Sequence, residues 1–217
     1  MRPTPLLALL VGLLGPALGS EAAEGVQPVL VSAAKAGPLA DAVVSLVALE
    51  PGAPSAAPVA NASIVQSDEQ YSPFVSAVTV GSSVAFPNED RIQHHIYSVS
   101  KAKRFEKPLY APGSTESVVF DQPGVVALGC NIHDWMIAYL LVVGTPHYAK
   151  TNAEGRAELS GVPAGRYRLE VWHPRLAQPV TREITVATGN NAAAAFELTL
   201  RPDRRIRRAQ DGKAGGY

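Results

Sequence analysis

The sequence has 217 residues and a formal net charge of zero, with 19 basic against 19 acidic side chains. That balance gives no general attraction to nucleic acid or to an anionic membrane surface. The length allows one large β domain or two small ones, and 18 glycines with 18 prolines imply many turns.

The chain opens Met1-Arg2-Pro3-Thr4-Pro5, runs apolar over residues 6–18 and continues Gly19-Ser20-Glu21-Ala22. A short basic start, an apolar core and small residues at a cut site read as a secretory signal peptide over residues 1–19. The run is short for a bilayer span, and no other segment is apolar enough. The processed protein is therefore expected to be exported, periplasmic and without a membrane span.

Residues 25–60 begin with β-prone, alternating segments, Val29-Leu30-Val31 and Ala42-Val43-Val44-Ser45-Leu46, about a Gly37-Pro38 turn. Residues 50–61 are a Pro/Ala linker. From 61 to 143 short β-prone runs follow closely: 64–66, 77–80, 83–86, 94–98, 117–120, 124–129 and 136–143. Gly, Pro, Asn or Asp separates most of them, and no helical period appears, so an antiparallel sandwich or barrel is expected. Residues 101–113 read as the one longer irregular piece. Beyond Gly144 come turns at Thr151-Asn152-Ala153-Glu154-Gly155 and Gly161-Val162-Pro163-Ala164-Gly165. Strands are expected over 166–172, 181–186 and 193–200. Residues 201–217 hold Arg201, Arg204, Arg205, Arg207 and Arg208 and read as a disordered basic tail.

The chemistry concentrates in Cys130-Asn131-Ile132-His133-Asp134-Trp135-Met136. Cys130 is the sole cysteine, and Met136 is the one methionine besides Met1. An exported chain with one cysteine forms no internal disulfide, which leaves a buried inert thiol or a metal ligand. Thiolate, imidazole and thioether are soft ligands suited to copper, and a blue-copper centre adds a second imidazole in a His₂Cys plane with the Met weak and axial. His94-His95 supplies that imidazole. The expected metal ligands are Cys130, His133, Met136 and one of His94 and His95. Zinc fits poorly, because Met is not a usual zinc ligand.

These residues carry a resemblance. Residues 61–143 are similar to the cupredoxins, the family of plastocyanin, amicyanin and azurin. The Cys130, His133 and Met136 spacing matches amicyanin's short ligand loop. Val84-Ala85-Phe86-Pro87-Asn88-Glu89-Asp90 resembles the strand and turn before the first ligand, and Phe120-Asp121-Gln122-Pro123-Gly124 the turn before the Cys strand. The whole chain also resembles periplasmic cupredoxin-like proteins labelled methylamine utilization proteins. The flanks, 25–60 and 144–200, resemble a carboxypeptidase-regulatory-like, transthyretin-related sandwich through Gly37-Pro38-Leu39-Ala40-Asp41 and Val162-Pro163-Ala164-Gly165-Arg166-Tyr167. The implied fold class is all-β: a Greek-key cupredoxin sandwich interrupting a second small β-sandwich.

Adjacent strand residues face opposite sides, so only one of His94 and His95 reaches the metal. The family register points to His94 and puts His95 where an Asn is usual. His147 and His173 read as surface or packing residues. Trp135 either packs beside the ligand loop or offers an aromatic face to a partner. By resemblance, the His95 amide donates to the Cys130 sulfur. Ile132, which has an N–H where proline is common, is expected to do the same.

The implied function is transfer of single electrons by one type 1 copper ion between a redox donor and an acceptor docking near His133 and Trp135. Four protein ligands leave no open position for a substrate, so no enzyme activity is expected. The alternatives are a copper carrier or chaperone, and a structural or binding β-sandwich in which the Cys is inert.

Overall fold

The computed structural model describes residues 24–51, 56–59 and 61–203. The expected signal peptide, residues 204–217 of the basic tail, and residues 52–55 and 60 of the linker lie outside the described residues. Among the described residues every regular element is a β-strand, so the fold is all-β.

Residues 62–143 form one two-sheet sandwich. Its larger sheet runs, in spatial order, Lys103–Tyr110, His94–Ser100, Gly124–Gly129, Ile137–Val143 and Val75–Thr79. The last pair is parallel and the others antiparallel. The facing sheet is Thr115–Phe120, Ser82–Pro87 and Ala62–Ser63. The core follows from strand alternation. Along Ser82–Pro87, Ser82, Val84 and Phe86 turn inward while Ser83 and Ala85 are less buried. Phe86, Phe120, Ile64, Ile96, Leu128 and Leu140 are fully enclosed.

The second sandwich is built from both ends of the chain. Glu24–Ala33 pairs antiparallel with Arg156–Pro163 and parallel with Ala194–Leu198. Tyr148–Lys150, Val43–Ala48, Gly165–Trp172 and Val180–Val186 make the facing antiparallel sheet. Val29, Val31, Val44, Leu46, Leu159, Leu169 and Phe196 fill its core. Gly155 closes the 151–155 turn with φ +70, and a Cβ there would lie 2.2 Å from Val31 O. Only glycine fits both that conformation and that approach. The two crossing points are neighbours: Thr145 Oγ1 donates to Leu46 O at 2.6 Å, and Leu46 N–H to His147 O at 2.9 Å.

Ile137–Val143 serves both units. Ala138, Leu140 and Val142 enter the core of the first sandwich. Tyr139 and Leu141 pack with Phe74, Val75, Ala77 and Val125 against Val43 and Trp172 of the second. A strand buried on both faces reads as a continuous apolar run, which explains Ile137-Ala138-Tyr139-Leu140-Leu141-Val142-Val143.

Two sequence expectations change. Residues 101–113 are not irregular, because Lys103–Tyr110 is an eight-residue strand. It is the edge of its sheet, so its charged residues and Pro108 protect against further pairing. The register shifts between Lys107 and Tyr110. The apolar pattern that marks inner strands is therefore missing. A second addition is the small hairpin of Val65–Ser67 and Gln70–Ser72.

Candidate metal centre

Fully buried Asn88 builds the loop that delivers the first histidine. Its Nδ2 donates to Ile92 O at 2.9 Å and Tyr110 O at 3.2 Å, and its Oδ1 accepts the Asp90 N–H at 3.1 Å. The chain then enters its strand at His94, which is completely buried. Cys130 follows the last residue of Gly124–Gly129 and is a buried free thiol. Gly129 permits the close approach of the Tyr97 ring, 3.1 Å from where a Cβ would sit. Beyond Cys130 the Met136 N–H donates to His133 O at 3.0 Å. That turn returns the chain into Ile137–Val143 with Met136 buried in the same core as Cys130.

The ends of these strands converge. His94, Cys130 and His133 each offer one ligand atom, and the three atoms lie within 4.8 Å of one another. Cys130 Sγ is 4.0 Å from His133 Nδ1, and the two imidazole centroids are 5.1 Å apart. His94 Nε2 lies 2.6 Å from Asp90 Oδ2, while His94 Nδ1 is buried with no hydrogen-bond partner. A buried imidazole nitrogen left unpaired is costly, and a metal ion would supply the partner. One sulfur and two imidazoles suit a soft or borderline metal such as copper.

The surroundings are polar but closely partnered. Asp90 accepts the Asp68 N–H at 2.7 Å and the Glu69 N–H at 2.9 Å besides contacting His94. Burial pushes its carboxyl up, but the bonds from Glu69, His94 and Asp68 outweigh that and hold it below the usual carboxylate range. Tyr71 Oη lies 2.9 Å from His95 O and 3.1 Å from Gly129 O, so it ties together the strand ends carrying His94 and Cys130. Burial, and then proximity to Cys130, push its hydroxyl far above the ordinary tyrosine range, so it stays a donor. Tyr71→Phe is expected to lower stability by about 1–2 kcal/mol with no change in fold. Urea denaturation of the metal-free protein checks this, and an unmoved midpoint would remove Tyr71 from the account.

His95 is also buried, but the convergent group does not include it. Its Nε2 contacts Glu106 Oε1 at 2.9 Å and Asn131 Nδ2 at 3.3 Å, and its Nδ1 is buried without a hydrogen-bond partner. A carboxylate only accepts, so Nε2–H donates to Glu106 and ties His95 to the Lys103–Tyr110 edge. Trp135 packs beside the loop, with its ring 5.2 Å from that of His133 and its Nε1–H donating to Glu69 O at 3.1 Å. No backbone N–H among the described residues donates to Cys130 Sγ, so the expected bonds from Ile132 and His95 are absent. Asn131 and Ile132 lie in the exposed bend of the loop, and the Ile132 side chain is 49% exposed. His173 is buried, with Nδ1 accepting the Arg175 N–H at 3.2 Å. His147 is half-buried against Tyr167, and burial holds its pKa below the usual histidine value. Both lie in the second sandwich, outside the convergent group.

Asp90, Glu69 and Tyr71 escaped the sequence reading. Their residue types are common in loops and edges, and only the fold brings them to the site.

A carboxypeptidase regulatory-like domain model matches residues 138–199. No curated protein matches the sequence. Three solved structures illustrate the structural likeness. A purple cupredoxin from Nitrosopumilus maritimus has 26% identity and TM-score 0.35, covering 38% of this chain and 100% of its own. A copper-containing nitrite reductase from Thermus scotoductus has 23% identity and TM-score 0.37. That match covers 45% of this chain and only 25% of the reductase. A reduced amicyanin variant has 19% identity and TM-score 0.36, covering 46% of this chain and 98% of its own.

Proposed function

We propose that this protein is an exported carrier of single electrons, holding one type 1 copper ion on His94, Cys130, His133 and Met136. The observation that supports it most is the convergence of a buried thiol and two imidazoles, with His94 Nδ1 otherwise unpartnered. Copper, when bound, supplies a one-electron change between Cu(I) and Cu(II).

The chain's part is to hold the ligands. His94 opens one strand, and Cys130 and Met136 flank the paired strands Gly124–Gly129 and Ile137–Val143. Their positions are therefore set by the sandwich itself. Tyr71 and Asn88 fix the strand ends from below. A ligand set closed by four protein groups leaves no place for a substrate, in keeping with a carrier. The His133 side chain is enclosed except for 13% of its surface, and exposed Ile92 and Ile132 adjoin the site in sequence. A donor or acceptor protein would dock on that face, near His133 and Trp135.

The absorption spectrum of the copper-loaded, oxidised protein tests this. An intense band toward the red end of the visible is expected from Cu(II)–thiolate. A protein that holds copper only as colourless Cu(I) would be a copper carrier. One that takes up no copper would be a structural sandwich with an inert thiol.

A further inference from the structure

We infer that Asp90 is a positioning residue for the metal. It fixes the tautomer and direction of His94 and links that ligand to the tip of the 65–72 hairpin. This rests on His94 being a copper ligand, as proposed above.

The hairpin tip is unusual. Asp68 and Glu69 both have φ of 53°, in the left-handed region. Type I′ two-residue hairpin turns demand that conformation at both positions, and Asn-Gly or Asp-Gly is the usual choice. Glutamate there carries strain that a glycine would relieve. The tip is nevertheless held at three points, all facing the site. Asp90 accepts both of its N–H groups. Trp135 donates to Glu69 O. The Glu69 carboxylate stands 3.9 Å from His133 Nε2.

Within this arrangement Asp90 Oδ2 sits 2.6 Å from His94 Nε2. A carboxylate can only accept, so it selects the tautomer with the proton on Nε2 and leaves the Nδ1 lone pair for a metal. The ring is held before any metal arrives. The carboxylate also makes the imidazole a more basic ligand, which favours Cu(II) over Cu(I). Asp90 therefore both orients the ligand and biases the site toward its oxidised form.

The test compares the unaltered chain with Asp90→Asn and Asp90→Ala. Nitrogen NMR of the copper-free proteins, at a pH where His94 is neutral, reads the tautomer directly. The unaltered protein is expected to show His94 protonated on Nε2 alone, and Asp90→Ala to show both tautomers. In the copper-loaded proteins the ratio of Cu(II) to Cu(I) affinity is expected to fall about tenfold in Asp90→Asn, within the range for outer-shell partners. That is a rise of about 59 mV for one electron. Asp68→Asn combined with Glu69→Gly keeps both backbone donors, removes the Glu69 carboxylate near His133 and is expected to leave the tautomer unchanged, which separates the action of the Asp90 carboxylate from that of Glu69. An unchanged tautomer in Asp90→Ala overturns the inference, as does an unchanged or lower potential in Asp90→Asn. If the unaltered protein binds no copper, the proposed function fails, while the tautomer measurement still judges the action of Asp90 on His94.

Discussion

Cys130→Ser is expected to abolish the visible band of the copper-loaded protein and to weaken copper binding by more than about a hundredfold. Outer-shell partners alone are worth up to about that factor, and Cys130 would be a direct ligand. The thiolate is the soft, charged donor of the set, whereas a serine hydroxyl stays protonated near neutral pH and is a poor copper ligand. The fold should survive. Serine is nearly isosteric, and Cys130 lies just past the end of the Gly124–Gly129 strand, 5% exposed. His133 Nδ1, 4.0 Å from the present sulfur, is a nearby polar atom for the hydroxyl. Stability of the metal-free variant should fall by no more than about 1–3 kcal/mol, the cost of a poorly paired buried hydroxyl. Spectrophotometric copper titration and thermal unfolding of the metal-free proteins measure the two effects. A band that persists in Cys130→Ser would mean that the thiolate is not the chromophore.

The second large effect concerns how the chain is divided. Residues 24–49 joined directly to 144–200 by a short Gly/Ser linker should fold without the intervening unit. Residues 56–143 alone should fold and bind copper. Leu46 already hydrogen-bonds Thr145 and His147, so the linker bridges a small gap and closes a short loop, whose entropy cost is small. Each part keeps its own buried core. The first unit must begin before residue 61, since Val59 N–H donates to Ser82 Oγ at 2.7 Å and the Val59 side chain packs against the core. Separation exposes Phe74, Tyr139 and Leu141 on one part and Val43 and Trp172 on the other. Both should therefore be less soluble than the whole chain. Circular dichroism and copper titration of each part check this. Loss of cooperative unfolding in both pieces would mean one inseparable body.

Much of the site was legible because it is local. Cys130 and His133 lie three residues apart beyond a strand, so one loop brings them together, and Met136 returns the chain to the core that holds Cys130. The preference for His94 over His95 came from family register. The structure directs both side chains into buried surroundings, and only the sheet's placement aims one at Cys130 and the other at Glu106. Turn signals near Gly155 and Gly161 marked the second sandwich because their positive-φ backbone favours glycine. Local pattern could not reveal the Lys103–Tyr110 strand, since an edge strand carries charge in place of apolar alternation. It also could not show that Ile137–Val143 is buried on both faces, because that depends on what packs there. Asp90 and Glu69 depended wholly on tertiary structure. Asp90 lies in a loop and Glu69 at a hairpin tip more than twenty residues earlier, and only the folded sandwich brings their carboxylates to the two imidazoles.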